Sequence, residues 1–197
     1  MKSRIAWIPT EEAIRLGTDL GLSETQATRG AFRMMANNPE LAAKVYGLLM
    51  MLVTHNKMPL RLRELIVLRI AWTTGSEYEW FQHYLIATTE AGLTEQDVLA
   101  VRHWNTSDRL GPGDQAVLAA VDDTIREGKI SDAVWDECAR YMREPAVLVE
   151  MVIAIGTWIM FSQIFQSLEV PLQQGASSWP PDGNAPVCRR MRHQGCS

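Results

Sequence analysis

Cysteine is scarce in this chain. Only Cys138, Cys188 and Cys196 occur in 197 residues, an odd number that suits no disulfide framework. No basic stretch leads into an apolar run at the start, so no signal peptide is expected and the thiols should be reduced, in the cytoplasm. Cys188 and Cys196 can pair with each other, but nothing requires it. A surplus of positive charge is also missing. The formal net charge is −4, which argues against the basic face that nucleic-acid phosphates demand. There is no glycine-rich phosphate loop, no dinucleotide fingerprint and no nucleophile elbow. Strand-like alternation of useful length is missing, and so is any internal repeat. The apolar run at residues 151–161 is too short for a bilayer crossing, which needs about 20 residues. Neither nucleic acid nor membrane is therefore expected as a partner.

What is present is an ordinary globular composition, 47% apolar and 21% charged. Such a chain can bury a core without metals or disulfides to hold it. Apolar spacing and punctuation predict an all-α domain over residues 1–172, with a core motif at 39–104. Helices are expected at 10–16, with Gly17 and Gly21 as breakers, and at 25–36. Further helices are expected at 39–53, 60–73, 76–91, 94–104, 114–127, 131–142 and 145–168. In the 39–53 helix, Leu41, Val45, Leu48, Leu49 and Leu52 share a face and should turn inward. Val134, Trp135 and Cys138 should do so in the 131–142 helix. The 60–73 helix is apolar nearly all round and should be central. From Gln173 the composition shifts to Gly, Ser and Pro, followed by Arg189, Arg190, Arg192 and His193. Residues 173–197 should form a flexible, disordered tail, because they hold too few apolar residues to order themselves.

The chemistry concentrates in RELIVLRIAWTTGSEYEWFQH, residues 63–83. At 100° per residue, Ser76, Glu79, Trp80, His83 and Ala87 share one side of the helix that follows Gly75. Glu79 and His83 are four residues apart, so their side chains can meet. A carboxylate beside an imidazole raises its pKa and orients it, which makes a general acid–base pair for neutral pH. A second account stays open: Ser76-x-x-Glu79 is also the pattern of a capping box. Glu64 and Arg63 lie about 100° apart on the preceding helix, so one can point inward while the other pairs at the surface. Arg69, inside an apolar run, needs a carboxylate partner, for which Glu64 and Glu79 are candidates. Glu79 and His83 supply only two metal ligands. His55 and His103 stand in no ligand spacing, so no metal is expected.

The same stretch resembles the core of the carboxymuconolactone decarboxylase family, which also holds the alkylhydroperoxidase-D-like proteins. The flanking phrases FRMMANNPELAAKVYGLLM and GLTEQDV agree with it, and so does the Leu-x-Val-Pro-Leu phrase closing the last long helix. The resemblance implies an alkylhydroperoxidase-D-like helical fold and a homo-oligomer. In the peroxidase branch a glutamate, a Cys-x-x-Cys and a histidine act together. Glu64 and His83 match the outer members, but Ser76 and Glu79 stand where the cysteines should be. A hydroxyl is not a redox thiol and a carboxylate closes no disulfide, so thiol peroxidase activity is not expected. The decarboxylase branch fits better, through Arg63 and Glu79-x-x-x-His83. It acts without a cofactor on a small lactone acid.

That resemblance implies a lyase or a related isomerase or cyclase that stabilises a dienolate and returns a proton. His83 is the expected proton donor, Glu79 its orienting partner, and Arg63 the anion partner. Ser76, Tyr78 and Trp80 should shape the substrate pocket, and Trp158 and Gln163 should close it. An oligomeric scaffold, with Ser76 and Glu79 acting only as a cap, is the competing expectation.

Overall fold

The protein, described here from a computed structural model over residues 3–187, is built from α-helices and carries no strand among these residues. The helices are α1 (Thr10–Asp19), α2 (Glu24–Ala27), α3 (Gly30–Met35), α4 (Pro39–Thr54), α5 (Leu60–Thr74) and α6 (Glu77–Thr89). They continue with α7 (Glu95–Val101), α8 (Pro112–Glu127), α9 (Asp132–Tyr141) and α10 (Pro145–Ser167). α5 is the hub. It packs against α6, α7, α8 and α10, and Leu65, Ile66, Val67, Leu68, Ile70 and Ala71 are all fully buried. An almost wholly apolar circumference is what allows one helix to be enclosed on every side.

Local signals set several boundaries. Pro39, Pro112 and Pro145 each open a helix, where the missing N–H is not needed. Thr94 and Asp97 form the reciprocal capping box at the start of α7. Gly75 ends α5 with a φ of 75°, a left-handed conformation glycine adopts without a Cβ clash. α6 then packs along α5.

Tertiary packing overrides other local expectations. Gly17 lies inside α1 and does not break it. A Cβ there would come within 2.5 Å of the Ala27 Cβ, so glycine serves a close approach of α1 to α2. The segment expected as one helix at 25–36 is two, α2 and α3. On α4 the buried residues are Ala42, Tyr46 and Leu52, whereas Leu41 and Leu48 face solvent together with Met51. Trp135 is also outside, at 38% exposure. α10 has 23 residues and is apolar and long enough to cross a membrane by length and composition alone. Its Met151, Ala154, Ile155, Trp158 and Phe161 nevertheless pack in the core, which also accounts for its apolar character.

The start of the expected tail needs correction as well. Within residues 173–187 the stretch around Trp179–Asp182 is anchored to the body, and 188–197, with Cys188, Cys196 and the basic cluster, fall outside the described residues. Trp179 is buried against Trp72 and Trp80. The Trp80 indole N–H donates to the Pro180 carbonyl at 2.7 Å. Asp182 forms a two-pronged pair with Arg102 at 2.8 and 2.9 Å, and Arg102 lies over the Trp72 ring, 4.4 Å from its centre. One tryptophan and one bidentate pair order a segment whose average composition argues for disorder.

Candidate functional site

The helical pair α5–α6 brings four ionisable side chains into one buried row. Glu64, near the start of α5, reaches across to His83 on α6, with Nδ1 2.6 Å from Oε2. The other Glu64 oxygen accepts from Arg63 Nε at 2.9 Å. Arg63 Nη1 donates to the carbonyls of Leu52 and Val53 at 3.3 and 3.0 Å, at the end of α4. On the far side of the imidazole, Nε2 lies 3.2 Å from Glu79 Oε2 and 3.2 Å from the Trp158 indole nitrogen. Charges therefore alternate along Arg63–Glu64–His83–Glu79, and none of these residues is more than 8% exposed. A buried ionic row survives only when each charge has a partner.

The electrostatics follow from this order. Burial works hardest on His83, favouring its neutral form, but Glu64 and then Glu79 outweigh it, and the pKa rises to about 9. Burial also pushes Glu64 upward, yet His83 and Arg63 together hold its carboxyl below the ordinary 4.5. His83 is thus an imidazolium at neutral pH, with Nδ1–H on Glu64 and Nε2–H facing Glu79. Once Nε2 has lost its proton it can accept from the Trp158 N–H, so the pocket holds a partner for either state.

A pH dependence of stability follows. Because the folded pKa of His83 lies above its ordinary 6.5, its ion pairs contribute fully below that value and are lost as pH rises through about 9. Chemical denaturation should show native stability falling between pH 6.5 and 9, and a flat profile there would contradict the pairing. Glu64 has the opposite sign: its contribution is present above 4.5 and is lost on acidification.

The row opens on a cavity of about 300 Å³ lined by residues of the N-terminal arm, α4, α5, α6 and α10. Leu22, Leu49, Met50, Val53, Ile86 and Phe161 supply its apolar walls. Gln26, Arg29, Tyr46, Tyr78, Gln82 and Glu90 join Arg63, Glu79, His83 and Trp158 as its polar ones. Burial raises both phenols, Tyr78 to about 12 and Tyr46 further, so each stays a neutral hydroxyl.

Of the residues picked out from the sequence, Arg63, Glu64, Glu79 and His83 come together in the row, and Tyr78 and Trp158 reach the cavity. Three others do not. Trp80 is fully buried among Trp72, Trp179 and the Pro180 carbonyl, behind α6. Gln163 points outward on α10. Ser76 lines a different hollow, near Gly75, Gln166 and Leu172. Nor does Ser76 cap α6 through its side chain: it sits at the N-cap without a capping hydrogen bond, its hydroxyl buried and unpartnered. Glu79 turns to His83 instead. Arg63 and Glu64 are both inward and bond each other, so neither pairs at the surface. Arg69 binds Asp122, at 2.6 and 2.8 Å, not Glu64 or Glu79. Arg29, Tyr46 and Gln82 were not apparent beforehand. Tyr46 follows from the rotated face of α4, and Arg29 comes from the arm, for which spacing carries no signal.

The helical architecture of the described residues, with this carboxylate–imidazole pair across α5 and α6, is of the alkylhydroperoxidase-D-like fold. Residues 39–123 match the carboxymuconolactone decarboxylase family, and the chain carries that family's domain there. No curated protein sequence matches the chain. Solved structures do. The debrominase Bmp8, as a cysteine-to-alanine variant in complex with 2,3,4-tribromopyrrole, is 20% identical over 88% of this chain and 94% of its own, with a TM-score of 0.70. An alkylhydroperoxidase AhpD core from Ralstonia eutropha JMP134, an uncharacterized peroxidase-related protein, is 10% identical over 87% and 93%, also at 0.70. A protein of unknown function from Agrobacterium tumefaciens, provisionally linked to antioxidant defence as AhpD, is 21% identical over 71% and 97%, at 0.63. At such identities the likeness is one of fold. The chain thus has the alkylhydroperoxidase-D-like fold, with a match to the carboxymuconolactone decarboxylase family over residues 39–123.

Proposed function

We propose that the protein is a cofactor-free acid–base enzyme of the carboxymuconolactone decarboxylase type, acting on a small organic acid or lactone. The observation that carries this is the Glu64–His83–Glu79 row, cationic at its centre, opening on a cavity of about 300 Å³ rather than sitting in solid core. A purely structural ion cluster has no need of that opening, which weighs against a scaffold role. The fold neighbour bound to 2,3,4-tribromopyrrole supports a small flat ring as the kind of ligand this architecture encloses.

In the reaction, the bond to the departing carboxylate breaks and its electron pair moves into the conjugated carbonyl, giving CO₂ and a dienolate. His83 then gives its Nε2 proton to carbon. The ring that remains is neutral, keeps Nδ1–H on Glu64, and takes the Trp158 N–H at Nε2 until water restores the proton. Glu64, at 2.6 Å, is the principal orienting carboxylate; Glu79, at 3.2 Å, is the second. Arg63 spends its Nε and Nη1 within the protein, so it acts mainly by holding Glu64 ionised.

Among the described residues no thiol reaches the site. Cys138 on α9 is fully buried, its thiol is pushed up to about 11 by burial, and it donates to the Ala116 carbonyl at 3.4 Å. The direct test is CO₂ release from carboxymuconolactone by the purified protein without added metal or cofactor. Release above the uncatalysed rate supports the proposal. No release from this or related lactone acids would leave the scaffold reading in place.

We propose further that the protein works as a homo-oligomer in the cytoplasm. Leu41, Leu48 and Met51 on α4 and Val149, Val152 and Ile153 on α10 are exposed, on helices that touch. Exposed apolar surface of that extent marks an interaction face. Light scattering should give a mass above the 22.2 kDa of one chain; a monomer at micromolar concentration would refute it.

A further inference from the structure

The polar groups of the cavity divide into two sets. One is the ionic row, whose charges answer one another: Arg63 with Glu64, and His83 with Glu64 and Glu79. Once His83 is protonated the row as a whole is neutral, so it presents no spare positive charge to a bound anion. The other set consists largely of donors without acceptors. Gln82 Nε2 is buried with no hydrogen-bond partner, and the buried Tyr78 hydroxyl has the Ala31 backbone N–H near its oxygen but no acceptor for its own hydrogen. Tyr46 is 8% exposed, lines the same space, and its hydroxyl makes no hydrogen bond to any described residue. Both phenols stay protonated, so each offers a hydrogen rather than a negative oxygen. Beside them stands Arg29, between α2 and α3, whose positive charge opposes the rise in pKa at Tyr46 and at Tyr78 alike. Among the described residues Arg29 forms no salt bridge.

Buried donors left unpaired are costly, and such a set around one cation awaits an acceptor bearing negative charge. The geometry points to Arg29 as the specificity residue of the cavity: with Tyr46, Tyr78 and Gln82 it grips an anionic group of a small ring compound that the reaction leaves in place. That group stays beside Arg29 while the ring enters between Met50, Val53, Ile86 and Phe161 toward His83. Glu90 also lines the cavity and opposes the anion; it is exposed, as Arg29 is, so water screens both charges and the buried hydroxyls and amide decide the grip. The assignment rests on the acid–base reading of the cavity, in that it sets which end of the substrate meets His83. It gives the N-terminal arm, which precedes the family-matched segment, a part in selecting the substrate.

Binding of two probes of equal shape, benzoate and benzamide, tests this by calorimetric titration or NMR shift on the full-length protein at pH 7. Benzoate should bind about tenfold more tightly than benzamide, the effect of one charge-assisted contact. Arg29→Gln should bring benzoate down to the level of benzamide and leave benzamide unchanged, while Arg29→Lys should restore part of the difference. Tyr46→Phe should weaken both probes, since its hydroxyl serves either oxygen. Equal binding of the two probes by the unaltered protein, no binding of either, or a benzoate preference that survives Arg29→Gln overturns the assignment. His83→Gln separates the two readings. Full turnover in that variant ends the acid–base mechanism, whereas a benzoate preference that still depends on Arg29 leaves the grip intact.

Discussion

Replacing His83 with Gln should lower turnover of the lactone acid by about 10²–10⁴-fold, the range expected when a positioned proton donor is removed. Glutamine keeps much of the volume and can donate from its amide, so Glu79 retains a hydrogen-bond partner, and Glu64 keeps Arg63. The helix is held by α5, α7 and α10 rather than by this side chain. Melting should fall too, because Glu79 loses its cationic partner, so the rates are compared at a temperature where both proteins are folded. Substrate binding should change less than the rate does, since the walls around Leu49, Met50 and Phe161 stay in place. The measurement is kcat and KM for both proteins, with melting recorded on the same samples. Undiminished kcat in a folded His83→Gln protein would remove the histidine from the reaction.

Glu64→Gln should be the most destabilising substitution in the row. Glu64 is fully buried and accepts from two cationic donors, Arg63 and His83. A neutral amide has one acceptor oxygen for two donors and turns its own N–H groups toward them. Removing one partner from a buried ionic set costs about 3–5 kcal/mol, which for a chain of this size lowers the melting temperature on the order of 10 °C. A second consequence separates this from simple loss of packing. Without Glu64, burial dominates at His83 and its pKa falls. The decline in stability between pH 6.5 and 9 should then largely vanish, with Glu79 alone left to sustain it. Denaturation of both proteins at the two pH values measures this. A variant as stable as its parent, or one that keeps the full alkaline decline, would show that the Glu64–His83 contact does not govern the charge of the ring.

Much of the helical layout was legible beforehand because its causes are local. Prolines at residues 39 and 145, the Thr94–Asp97 box and the glycines at 75 and 128 act within one turn of the chain. An apolar repeat marks a helix whatever packs against it. The all-round apolar character of residues 60–73 placed that helix at the centre for the same reason. The Glu79–His83 pair belongs to this class too, since residues four apart on one helix meet by geometry alone.

What required the tertiary structure is whatever depends on a partner distant in sequence. Glu64 and His83 are separated by 19 positions, and only the α5–α6 pairing shows that Glu64, not Glu79, is the closer carboxylate. Arg69 has carboxylates on both sides in sequence, yet it pairs with Asp122, 53 positions away. The face of α4 turned on which neighbour reached it, so Tyr46 went in and Leu41 came out. Ser76 and Glu79 satisfy a capping pattern, but a charge-assisted contact to His83 is stronger than a cap at the helix surface. The stretch around Trp179–Asp182 is anchored because Trp179 and Asp182 meet Trp72, Trp80 and Arg102, none of which average composition can register. The sequence by itself determined which segments are helical and which residue types concentrate at 63–83. The assembled fold alone decided which charges neutralise one another and which donors are left facing the cavity, because both depend on distances between helices.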